Sequence, residues 1–140
     1  MTTTITTSQA PDAKPIGLST ALYTAWATII EVPNYSIPEL VFGGSRTTVP
    51  GVGEIISPLI ISNRDTNTVN VSVRLYRAES NTYFYVANEL PVPAYDMLPL
   101  ALNGQFIAPG DTLDVKASTD NTVDVTISYT VGQAETDDVA

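Results

Sequence analysis

The chain has 140 residues with no cysteine and no histidine, and fifteen acidic side chains against six basic ones give a net charge of −9. One domain of ordinary size fits that length, and disulfide frameworks, thiolate nucleophiles, imidazole bases and His- or Cys-ligated metals are excluded at once. The scattered bases (Lys14, Arg46, Arg64, Arg74, Arg77, Lys116) speak against a nucleic-acid or anionic-membrane surface, and no run approaches the ~18 apolar residues of a bilayer span.

Residues 1–18 are small, polar and interrupted by Pro11 and Pro15, so they predict an extended N-terminal arm with no face to bury. The opening Met-Thr-Thr-Thr-Ile-Thr-Thr-Ser has neither the basic region nor the apolar run of a secretory leader. The expectation is a soluble chain made in the cytoplasm of its producer. Residues 21–32 carry Leu22, Tyr23, Trp26, Ile29, Ile30 and Val32 and read as strand up to Pro33. A short apolar run, 37–42, closes at Gly43-Gly44. Glu54 to Ser62 is apolar on both faces, and Pro58 within it requires a sheet edge or a bulge.

The clearest alternation follows. Val69, Val71, Val73 and Leu75 share one face while Asn70, Ser72, Arg74 and Tyr76 share the other. The same period recurs in Leu113, Val115 and Ala117, and again in Val123, Val125, Ile127, Tyr129 and Val131. Period two with β-branched residues on one face is a strand with one wet side. Between these lie an aromatic strand, Thr82 to Val86, and a proline-rich extended crossing, Leu90-Pro91-Val92-Pro93. Asn103-Gly104 and Asp120-Asn121 stand at hairpin spacing. The tail 133–140 is acidic and predicts a solvated end. No eleven-residue window combines a 3.6 period with capping residues. The prediction is therefore all-β: an antiparallel β-sandwich, jelly-roll-like or Ig-like, of eight or nine short strands over residues 19–132.

Little catalytic chemistry is left. Asp111, Asp114, Asp120 and Asp124 flank two turns and read as solvated strand-face acids; the sharper alternatives are a surface calcium or the carboxylate pair of a glycosidase. The spacing lacks the order of a dedicated calcium loop. Gly43-Gly44-Ser45-Arg46 lacks the phosphate-loop pattern, and the serines have no histidine to activate them. No cofactor and no enzymatic activity are expected. The candidate partner contacts are Arg74, Tyr76, Arg77 and Trp26, because Arg, Tyr and Trp are the residues that most often anchor protein interfaces. With Tyr76, Tyr83, Tyr85 and Tyr95, Trp26 is also a candidate carbohydrate-stacking patch, against ordinary core and interface packing.

The order of these pieces carries a resemblance: Leu22-Tyr23-Thr24-Ala25, Ile60-Ile61-Ser62-Asn63, the alternating run Thr68 to Arg77, an aromatic strand, Leu90-Pro91-Val92-Pro93, Ala108-Pro109-Gly110-Asp111-Thr112-Leu113 and the closing Val123 to Tyr129. Over residues 20–131 it resembles small β-sandwich virion proteins of tailed bacteriophages, capsid decoration or cement proteins above all. It departs from them in Trp26 to Pro50, which is longer and richer in Pro and Gly than their usual short loop. The resemblance implies a structural protein on the capsid exterior, a homo-oligomer with a trimer favoured. Its partners would be the major capsid protein or other virion proteins. A tail, neck or head-fibre component with a host-glycan role is the alternative. No catalytic or binding residues come with the resemblance.

Overall fold

The computed structural model describes residues 14–32, 34–37 and 47–133. Eleven strands run through them: β1 (Lys14–Ala21), β2 (Ala27–Glu31), β3 (Asn34–Ile37), β4 (Thr47–Ile55), β5 (Leu59–Asn63), β6 (Val69–Arg77), β7 (Thr82–Val92), β8 (Met97–Leu100), β9 (Phe106–Ile107), β10 (Thr112–Ala117) and β11 (Val123–Gln133). All pairings are antiparallel, in two sheets, and no described residue is helical. This is the all-β sandwich that the alternation predicts. The expected eight or nine strands become eleven because several long runs are interrupted.

The first sheet is built on β11. On one side β1 pairs with it from Lys14↔Val131 to Ala21↔Asp124. On the other side β5 takes its first half and β4 its second. Strands β4 and β5 therefore form one line broken at Ile56–Pro58, where Ile56 N–H donates to Ser128 O at 3.0 Å and Ser57 Oγ accepts from Ser128 N–H at 2.8 Å. Pro58 thus sits at the bulge its chemistry requires.

The outer column of that sheet overturns one expectation. Asn103-Gly104 does not close a hairpin: β8 pairs with β5 and β9 with β4, so the two run end to end rather than beside each other. The turn residues are right and the partner is different. Gly104, at φ +94, donates to Ile55 O at 2.7 Å, and Ile55 N–H donates to Gln105 O at 2.9 Å. The jog in the outer column thereby sits beside the break at Ile56–Pro58.

The second sheet has the order β2-β10-β6-β7. Here too a local signal is redirected. Asp120-Asn121 joins β10 in this sheet to β11 in the other, so it is a crossing arch and not a hairpin. A second arch, Leu22–Trp26, carries β1 over to β2, so residues 21–32 are not one strand. The arches brace each other: Leu22 N–H donates to Val123 O, Asn121 N–H to Leu22 O and Ala117 N–H to Tyr23 O, all at 2.8–2.9 Å. Thr24 N–H adds a bond to Asp120 Oδ1 at 2.7 Å. Strand β7 continues through Pro91 to Val92, in register with Asn70 and Val69, so the proline-rich stretch is the end of a strand at the sheet edge.

Between the sheets lie the inward faces that the period-two pattern marks: Val69, Val71, Val73 and Leu75 of β6, Leu113, Val115 and Ala117 of β10, and Val123, Val125 and Ile127 of β11. Each fully buried Val, Leu or Ile contributes about 1.5–3 kcal/mol. Lys14 to Leu18, the last residues of the segment read as an arm, are paired in β1. Residues 1–13, Pro33, residues 38–46 with Gly43-Gly44-Ser45-Arg46, and residues 134–140 lie outside the described residues.

Candidate functional site

On the outer face of the second sheet the outward positions of four strands line up. The ladder Thr28↔Asp114↔Arg74↔Tyr85 runs across β2, β10, β6 and β7, and Thr112↔Tyr76↔Tyr83 lies beside it. A register shift between Leu113 and Asp114 places Ile29 as the extra residue in β2, which keeps Thr28 outward beside Asp114 and Ile30 in the core. Trp26, the last residue of the Leu22–Trp26 arch, folds down onto this ladder.

Arg74 is the centre of the arrangement. Its guanidinium carbon is 4.0 Å from the Trp26 ring centroid and 3.9 Å from that of Tyr83, so the cation sits against two aromatic rings. Its Nε donates to Asp114 Oδ2 at 3.1 Å, and Thr28 Oγ1 donates to Asp114 Oδ1 at 2.8 Å. Burial acts to lower the Arg74 pKa, but hydrogen bonds to Asp114 and Tyr85 outweigh it and the pKa is raised. Tyr85 meets Trp26 edge-on at 5.9 Å between centroids, and Lys116 Nζ lies 4.8 Å from the Trp26 ring. Tyr76 packs on Tyr83 at 4.9 Å and its hydroxyl donates to Asn81. The rings of this platform are held, yet Tyr83 and Tyr85 remain about half exposed, at 47% and 52%.

Of the four candidate contact residues, the structure brings Trp26, Arg74 and Tyr76 into one cluster and sets Arg77 apart. Arg77 is one step out of phase with Arg74 and turns to the other side of the sheet. There its Nη1 donates to Asp111 Oδ2 and to Phe106 O, both at 2.8 Å. Asp111 also accepts from Ala78 N–H at 2.9 Å and Ala108 N–H at 3.1 Å. Burial acts to raise the Asp111 pKa, but the bonds from Ala78, Arg77 and Ala108 prevail and it is lowered. This lock fastens the Pro109-Gly110 turn to the end of β6. Gly110, at φ +86, is required there, since a Cβ would also come within 2.9 Å of Ala78 Cβ.

Two of the four acids are thus not the solvated strand-face group the sequence suggested, while Asp120 and Asp124 remain at the surface. Asp111 and Asp114 are buried and each is tied to an arginine of the neighbouring strand β6, a partner distant in sequence that a local reading does not see. Asp124 pairs with Arg64 at 2.7 Å in the open. Among the described residues no group of three or more acids could hold a metal ion. A lowered Asp111 is also the reverse of what a glycosidic general acid needs. Sequence reasoning grouped Tyr83 and Tyr85 with Trp26 as a stacking patch but missed Lys116 as a member of the platform. The signal was available in the outward phase of Lys116.

No family model matches the chain, and no curated protein does. Among solved structures it is similar to chains of infectious bursal disease virus particles. For a T13 viral particle the identity is 11% and the TM-score 0.41, covering 86% of this chain and 31% of that one. For the VP2 subviral particle the values are 12% and 0.39, covering 95% and 32%. This chain spans about a third of the length of those chains. At TM-scores below 0.5 the likeness carries no functional argument, and the reading rests on the geometry of the chain itself.

Proposed function

We propose that the protein is a virion structural component that acts by adhesion: a capsid decoration protein bridging neighbouring major capsid subunits, assembled as a trimer on the head exterior. The observation that carries this reading is the Trp26–Arg74–Tyr83 clamp. It fixes large, half-exposed aromatic side chains in place before any partner arrives, which cuts the ordering cost of docking. Trp, Tyr and Arg are the residue types that dominate interface energetics. The motif order over residues 20–131 supports placing that adhesion in a tailed-phage head. Binding only the assembled lattice stabilises it by mass action.

Particles lacking the chain test the reading. Their heads should open at lower temperature or pressure, and adding back the purified protein should restore the wild-type value while Tyr85→Ala restores it incompletely. Unchanged head stability without the chain would overturn it. The exposed Tyr83 and Tyr85 rings favour, as a second reading, a tail, neck or head-fibre component that stacks on host glycans. Copy number separates the two: hundreds per particle for decoration, a dozen or fewer for a tail or neck part.

A further inference from the structure

Strand β7 closes the second sheet, and among the described residues no strand pairs with its outer edge. Natural sheets blunt such edges with lysine, proline, bulges or a cover. Two register shifts against β6 disrupt β7 at Val86 and at Asn88–Glu89, where Glu89 takes φ +53 and its N–H turns to Ser72 Oγ at 2.9 Å. Among the described residues the stretch Thr82–Tyr85 has none of these defences. It lies in regular register opposite Arg77–Arg74, carries no charge, and leaves Tyr83, Phe84 and Tyr85 about half exposed.

A recess of about 650 Å³ opens beside this stretch, lined among others by Phe84, Pro109, Ala108, Ser80 and Glu79. Its arginine, Arg77, is neutralised by Asp111. Glu79 is exposed and makes no ion pair among the described residues, so it supplies the recess with its unbalanced charge. A strand added to β7 would project the residue opposite Phe84 to the same side as Phe84, about 5 Å away and toward this recess.

We propose that Thr82–Tyr85 is an acceptor edge for an extended segment of a partner protein, and that the partner places a Lys or Arg side chain in the recess. The aliphatic stem would lie along Phe84 and Pro109 and the cation would meet Glu79. A second copy of this chain fits less well: antiparallel self-pairing centred on Phe84 would set Glu79 of one copy against Glu89 of the other, in molecules that each carry −9. The proposal rests on the adhesive reading above and gives its partner a chemical character.

The test uses the full chain and capped peptides of sequence Thr-Val-Thr-Lys-Thr-Val-Thr, with Leu or Glu replacing the Lys as controls. In ¹⁵N spectra the Lys peptide should shift the amides of Thr82–Tyr85, and it should bind at least threefold to fivefold more tightly than the Glu peptide. Glu79→Lys, in an exposed turn, should keep the wild-type melting temperature and reverse that preference. Shifts elsewhere only, no binding, or equal affinity for the Lys and Glu peptides would overturn the proposal. Dilution-dependent shifts at Thr82–Tyr85 without peptide would also overturn it, because the edge would then belong to a second copy. All of this is read on the isolated protein, so its failure leaves the particle experiment standing, and the reverse holds as well.

Discussion

The Arg74 guanidinium lies 4.0 Å from the Trp26 ring centroid, although 48 positions separate the two residues and they reach each other from an arch and a strand. The contact ties the Leu22–Trp26 arch to the outer face of the second sheet. A double-mutant cycle with Trp26→Ala and Arg74→Ala should give a coupling of about 1 kcal/mol in urea unfolding. Additivity within about 0.3 kcal/mol would show that the two merely lie close. Arg74→Ala alone should cost about 3 kcal/mol, more than Trp26→Ala loses in coupling, because it strands the buried Asp114 carboxylate.

Acid should find the Asp111 lock. Its folded pKa lies below its ordinary value, so its stabilisation is full above the unfolded value of about 3.9 and is lost as pH falls through the lower folded value. Asp111→Asn keeps the shape but turns an amide either toward Arg77 and Ala108 or toward Ala78, and should cost about 2–3 kcal/mol at pH 7. The gap between wild type and variant should hold from pH 7 to about 4 and narrow below that. A gap independent of pH down to 2 would contradict the assignment.

Asn63 joins two turns by its side chain. Its Nδ2 donates to Asn67 O and Val92 O at 2.9 Å, with Pro93 O at 3.2 Å, while Oδ1 accepts from Asp65 N–H at 2.8 Å. Asn63→Asp removes both donors and sets a carboxylate against three carbonyls, so it should destabilise more than Asn63→Ala, by about 1–2 kcal/mol. Equal midpoints of thermal unfolding for the two variants would count against this account.

Two glycines should respond in opposite ways to alanine. A Cβ on Gly53 would stand 2.8 Å from Val32 Cγ2, with Thr130 O at 3.4 Å behind it, and the substitution should cost about 1–3 kcal/mol. Nothing lies within 4 Å of a Cβ on Gly17 in β1, where alanine should be neutral or stabilising by a few tenths of a kcal/mol. Denaturant midpoints of the two single variants decide it.

The sequence made the inward faces legible, because alternation of period two reports burial directly: Val69 to Leu75 and Val123 to Ile127 point inward as the pattern requires. Pairing partners were less legible. Asn103-Gly104 and Asp120-Asn121 encode turns, but a turn residue specifies only local backbone. Whether the next strand folds back or crosses to the other sheet depends on contacts far away. The platform was half visible for the same reason. Trp26, Arg74 and Tyr76 stood out by residue type, whereas the burial of Asp114 and Asp111 follows from arginines 40 and 34 positions away.

The placement of β11 has a consequence for how the protein comes to be made. Residues 124–131 are bordered on one side by 14–21 and on the other by 53–55 and 60–62, so the middle of the first sheet is supplied after both of its flanks. Until Val123–Gln133 emerges, those flanks have unsatisfied backbone facing an empty slot, the condition that invites aggregation. Such long-range closure is slow. A folding intermediate in which β6 and β7 are protected from hydrogen exchange well before β1 is the kinetic signature this topology should leave.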